Sequence, residues 1–192
     1  METLEAIAAR RSIRKFADRS VPEELVHKVL AAAILAPSAK NRQPWRFVVV
    51  ADREKRAEMV RVMRAGIADT KAHGVNTGTA IMTARIMEGA PVTIFVFNPD
   101  GVHPWLPHPD EQSFMESFDT QSIGAAVQNM LIAAQDLGLG TLWMGDVWSA
   151  YRQLEAWLEE PGELVAAVAL GFAAEQPPPR PRRPLSEVVR WL

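Results

Sequence analysis

The sequence predicts an α+β fold. Two observations carry that prediction. About four short segments read as strands and five or six as helices, and along the chain strands do not alternate strictly with helices, as a doubly wound parallel sheet would require. The length of 192 residues suits one compact unit, so residues 1–192 are expected to form a single domain. A chain of this size buries roughly 70% of its unfolded surface, enough for a core without covalent staples.

Residues 2–9 form the first predicted helix, with Leu4, Ile7 and Ala8 on one stripe. A second is predicted after Ser20, which has capping-box spacing to Glu23, with Pro22 in the first turn. Leu25, Val26, Val29, Leu30 and Ala33 give its apolar face, and Pro37 stops it. Residues 45–50 (WRFVVV) read as a buried strand and residues 53–65 as a charged amphipathic helix. Residues 66–78 hold three glycines without a clear period, and residues 79–88 read as a helix. After Pro91, Val92–Phe97 reads as a second buried strand. Residues 98–118 carry four prolines and two histidines and read as a loop or lid. A long helix follows, with Asp119 as its cap, Ile123, Val127, Met130, Leu131 and Ala134 as its stripe, and Gly138 as its end. Residues 141–144 and 164–172 read as strands and 149–159 as a helix. Residues 177–184 hold five prolines and three arginines, which excludes helix and central strand, so this tail is expected to lie extended over a surface.

Composition narrows the function. There is no cysteine, which excludes a disulfide scaffold, thiolate catalysis and cysteine-built metal sites. A net charge of −2 and a pI of about 6.1 give no positive field for nucleic acid or an anionic membrane. The first ten residues lack the long apolar run of a signal peptide, and no stretch approaches the ~20 apolar residues of a membrane span, so a cytoplasmic protein is expected.

Three constellations carry chemistry. Arg10, Arg11, Ser12 and Arg14 put three guanidiniums and a hydroxyl at close spacing, a donor set suited to a phosphate dianion. Pro37-Ser38-Ala39-Lys40-Asn41-Arg42-Gln43-Pro44-Trp45 brackets small and amide residues with prolines directly before a strand, where backbone and amide groups can face a ligand. Gly138 to Asp146 (GLGTLWMGD) follows a helix, not a strand, so it is no dinucleotide fingerprint, but its glycines permit close backbone approach. Taken singly, each also fits a bland reading: a solvated basic turn, a helix-to-strand loop, or a helix end before a strand.

Taken in order, RRSIRKF, PSAKNRQPWRFVVV, AAQDLGLGTLWMGD and the tail RPRRPL resemble the nitroreductase family of FMN-dependent oxidoreductases, over nearly the whole chain. The resemblance implies a mostly antiparallel sheet of four to five strands flanked by helices, and a homodimer with an extended C-terminal tail and FMN sites at the subunit interface. It implies that Arg10 and Ser12 hold the FMN phosphate and nearby ribityl oxygens, that Arg14 reaches the ribityl chain and the N1/C2=O edge, and that Arg11 contributes its backbone. It implies that Pro37, Ser38, Ala39 and Asn41, with Arg42 as a further contact, face the flavin from the other subunit. Trp143, Met144 and Gly145 match the strand end beneath the ring, where the Gly145 N–H meets N5. Arg182 matches a second phosphate ligand, assisted by Arg180. The implied reaction is ping-pong: NADH or NADPH delivers hydride to N5, and a small oxidant such as a nitroaromatic or quinone takes it away. No catalytic side chain and no metal is required, because the cofactor carries the hydride chemistry. A flavin-binding protein that stores or senses FMN without turnover is the alternative.

Weaker signals complete the reading. Trp105, Phe114 and Phe118 could wall a pocket for a flat substrate. His103, His108 and Asp110 are read as a surface loop rather than a zinc site, His27 as solvated and His73 as part of a lid. Asp146 is read as a turn residue. Trp148, Trp157 and Trp191 are read as packing or dimer contacts, and the apolar C-terminus as docked on protein, with the other subunit as the candidate surface.

Overall fold

A computed structural model describes residues 2–102, 107 and 109–192. The chain runs α1 (Thr3–Ala9), α2 (Glu23–Ala33), β1 (Arg46–Val50), α3 (Arg53–Ala72), α4 (Ala80–Gly89), β2 (Val92–Asn98), α5 (Asp110–Asp136), β3 (Gly140–Met144), α6 (Tyr151–Leu158), β4 (Glu163–Gly171) and α7 (Leu185–Val188). Short 3₁₀ turns occupy Ala39–Asn41 and Asp146–Ala150. The four strands form one sheet in the order β1-β2-β4-β3, each neighbouring pair antiparallel. The α+β architecture is the one the segment order predicts.

The sheet separates two cores. Phe95, Phe97, Ala167, Ala169, Leu142 and Met144 face α3, α4 and α6. Val92, Ile94, Val96, Val168 and Leu170 face α2 and α5. This alternation is the period-2 geometry of a strand. Every residue of β2 is buried, because the strand is central and helices cover both faces. Burial of a side chain the size of Phe95 contributes roughly 1.5–3 kcal/mol.

Several expectations are corrected. β1 is not buried throughout: it is an edge strand and Val49 is 40% exposed. Ser20 does not cap α2; the helix begins at Glu23 after Pro22, whose carbonyl accepts from the Leu25 N–H at 2.9 Å. α3 continues to Ala72, through Gly66. A Cβ at residue 66 would stand 2.5 Å from the Ala150 Cβ, so this glycine lets the helix pack against the 146–150 turn. The start of α3 is set by Asp52, whose carboxylate accepts from the Glu54 and Lys55 N–H groups and is held below its ordinary pKa by these donors. α5 begins at Asp110, so much of the expected 98–118 loop is helix, and Asp119 is a buried mid-helix residue instead of a cap. The stripe of α1 is not a core face: Ala6 is buried, whereas Leu4 and Ile7 are exposed.

Candidate functional site

The arginine cluster is placed by the outer edge of β3. The Ile13 N–H donates to the Thr141 carbonyl at 2.9 Å, and Ser12 pairs with Thr141 in a single parallel bridge. Gly140 permits this approach, since a Cβ there would lie 2.8 Å from Ile13 Cγ1. The chain after β4 closes the other side. The Ala17 N–H donates to the Phe172 carbonyl at 2.8 Å and the Ala174 N–H to the Lys15 carbonyl at 2.9 Å. The Glu175 carboxylate accepts from the backbone N–H groups of Arg14 and Lys15. These bonds lead the proline-rich tail past α1, so both ends of the chain meet.

Two grooves result. The first, of about 670 Å³, is walled by Arg10, Arg11, Ser12 and Arg14 on one side and by Pro177–Arg182 on the other. Burial and the nearby guanidiniums of Arg182 and Arg11 lower the Arg10 pKa. Cations gathered this closely favour an anion between them. Two of them are partly tied: Arg11 Nη1 donates to the Ala8 and Arg10 carbonyls, and Arg182 Nη1 to those of Arg180 and Pro181. The second groove, of about 640 Å³, is walled by Arg14, Lys15 and Glu175, by Trp143, Met144, Gly145 and Asp146, and by α4. Arg14 belongs to both. Trp143 is 43% exposed, and nothing lies within 4 Å of where a Gly145 Cβ would be.

The sequence marks 79–88 as a helix but not as a wall of the site. Thr79, Met82, Thr83, Arg85 and Ile86 line the second groove. The Thr79 and Thr83 hydroxyls donate to Asp146 Oδ2 at 2.6 and 3.0 Å, so Asp146 opens the 3₁₀ turn and also ties β3 to α4. The helical reading of 79–88 was the available signal; nothing in the spacing marked which face would look at residues 143–145.

The Pro37–Arg42 loop contributes to neither groove wall. It sits on α5. The Ala39 N–H donates to Ser122 Oγ at 3.3 Å, and Arg42 places Nε and Nη2 on Asp119 Oδ1 and Oδ2 at 3.1 and 3.2 Å. Arg42 Nη2 also reaches Asp100 Oδ2 at 3.2 Å. The hydrogen bond and charge of Asp119 raise the Arg42 pKa. The Arg42 guanidinium is therefore engaged by acids of the same chain, which makes it an anchor for the loop.

The remaining sites resolve as follows. Phe114 and Phe118 form an edge-to-face pair at 4.8 Å on α5, with Phe114 exposed. His27 is solvated beside Glu23. His73 is exposed and lines a cavity with Trp148 and Arg152, apart from both grooves. Trp148 and Trp157 pack against the α3/α4/α6 core. Trp105, His103 and His108 lie outside the described residues.

The comparisons with known proteins fit this arrangement. The model of the Nitroreductase family matches residues 7–172. A chain from Methanothermobacter thermautotrophicus named "Putative NADH dehydrogenase/NAD(P)H nitroreductase" is 35% identical over 92% of this chain and 80% of its own length. A structure from Desulfovibrio desulfuricans described as a "putative nitroreductase in complex with fmn" superposes with a TM-score of 0.76 at 33% identity, covering 98% of this chain and 95% of that one. A BluB-like flavoprotein from Clostridium difficile 630 superposes with a TM-score of 0.80 at 28% identity, covering 100% and 99%. The chain belongs to the nitroreductase family.

Proposed function

We propose that the protein is an FMN-dependent NAD(P)H oxidoreductase, a single domain acting as a homodimer. The observation that carries this reading is the pair of joined grooves: a cationic one built from both ends of the chain, running through Arg14 into an open one above Trp143–Gly145. The donor set fits the cofactor. A phosphate of about −2 charge matches Arg10, Ser12 and Arg182, with Arg11 and Arg180 beside them. The Desulfovibrio structure, solved in complex with FMN, supports FMN as the cofactor.

In this reading bound FMN supplies hydride transfer between a nicotinamide donor and a small oxidant such as a nitroaromatic or quinone, which use one groove in turn. The chain's own residues bind and tune it. Arg14 offers positive charge to the pyrimidine edge, where reduction adds negative charge. The Gly145 backbone N–H offers a donor toward N5. Trp143 and Met82 give the open groove an apolar wall for a flat partner, and that open wall favours turnover over mere flavin storage. Pro37, Ser38, Ala39 and Asn41 serve the flavin held by the second subunit, consistent with their absence from this protomer's own grooves. The test is anaerobic reduction of the FMN-loaded protein by NADH and NADPH, followed by reoxidation with a quinone or nitroaromatic. Failure of every acceptor would leave only the storage reading.

A further inference from the structure

Asp119 stands out among the acids of this chain. It is 2% exposed and lies in the middle of a 27-residue helix. A buried charge is costly and is retained where it is paired and hydrogen-bonded. Here the partner is a loop. Asp119 and Ser122 are three residues apart, so they share one face of α5, and both hold the 37–43 segment. That segment needs holding. Lys40, Asn41 and Gln43 all adopt positive φ, at 52°, 54° and 53°, a region sparsely populated by residues other than glycine. Arg42, fixed by two guanidinium nitrogens, lies within this run. Internal bonds, such as Gln43 N–H to Ser38 Oγ at 3.0 Å, shape the loop but do not dock it.

We propose that Asp119 is a positioning residue for the cofactor: through Arg42 it holds the Pro37–Asn41 loop in the conformation that meets the flavin. This rests on the reading above, in which that loop faces FMN. A paired fork on a buried carboxylate defines direction as well as attachment, which a single hydrogen bond would not. Asp119 touches no cofactor itself and acts only through the loop.

The experiment uses the full-length protein and FMN as probe. FMN affinity is measured by quenching of flavin fluorescence, and the surroundings of the bound flavin by visible circular dichroism. The proteins are wild type, Asp119→Asn, Arg42→Ala, their double variant, Arg10→Ala, and Arg10→Ala combined with Asp119→Asn. Asp119→Asn and Arg42→Ala each raise the FMN Kd about tenfold and alter the visible dichroism. The double variant is no worse than either single one, because both remove the same link. Arg10→Ala combined with Asp119→Asn is additive, since those residues belong to separate supports. Should Asp119→Asn not fold, Arg42→Lys keeps the charge but loses the fork and gives the same altered dichroism. Wild-type affinity and dichroism in Asp119→Asn, with only a lowered melting temperature, overturn the positioning role while Arg10→Ala still loses FMN. If wild type itself binds no FMN, the functional reading falls and this inference with it.

Discussion

Arg10 and Arg182, from opposite ends of the chain, face one groove, and the guanidinium of Arg182 helps lower the pKa of Arg10. Two cations held together in this way repel each other, and a shared anion both attracts them and offsets that repulsion. Arg10→Ala therefore weakens FMN binding by roughly ten- to a hundredfold, the value of one or two charge-assisted hydrogen bonds. Arg182→Ala acts in the same direction, and the double variant purifies colourless. Flavin content per chain, measured by absorbance after denaturation, checks this. Full occupancy in Arg10→Ala would remove the phosphate assignment.

Gly145 separates a steric role from a hydrogen-bonding one. Nothing lies within 4 Å of its missing Cβ, and its φ of −85° is near the range of proline. Gly145→Ala should fold and retain hydride transfer. Gly145→Pro should also fold and bind FMN, but it removes the N–H. Its reduction by NAD(P)H, followed by stopped-flow absorbance, should slow about tenfold or more, as when one preorganised donor is lost. Equal rates in both variants would assign N5 contact to another group.

Tyr151 is the sole tyrosine, is 1% exposed and accepts a hydrogen bond from the Leu164 N–H at 3.0 Å. Burial pushes its pKa up to about 12, against an ordinary value of 10.0. A raised value in the folded state means that the neutral phenol favours folding below pH ~10, and that this contribution disappears as pH climbs through about 12. Absorbance at the tyrosinate band should titrate near 12 in the native protein and near 10 in denaturant. Tyr151→Phe leaves the Leu164 N–H without its partner and should cost about 1–3 kcal/mol in denaturant unfolding.

The C-terminal segment leaves Leu185 at 77% and Trp191 at 91% exposed. Near α1, the exposed Leu4 and Ile7 and a cavity between α1, α2 and α5 offer a further apolar surface. Deleting residues 185–192 should weaken the proposed homodimer in sedimentation velocity and lower flavin occupancy with it. A flavin-loaded monomer would contradict a shared site.

The sequence disclosed the parts of this structure that depend on local pattern. The mostly apolar run of β2 and the periodic face of α2 follow from spacing, and the Arg10–Arg14 cluster is visible as a donor set. What escaped it depends on distance. β1 reads as buried as β2 does, because composition does not reveal which strand lies at the edge. Gly66 looked like a break in a helix, since its contact, Ala150, is remote in the chain. Asp119 looked like a cap, because only the folded chain shows it paired with Arg42, 77 residues away. The α4 face of the second groove was hidden for the same reason.

Flavin-dependent turnover is tested most directly by the visible absorption spectrum of the purified protein, recorded anaerobically before and after NADH or NADPH. A bound, working FMN gives oxidised-flavin bands that bleach with at least one of the two nucleotides and return with a quinone. A colourless protein that also fails to take up added FMN would contradict it, and would leave Arg10, Ser12 and Arg182 as a solvated basic surface.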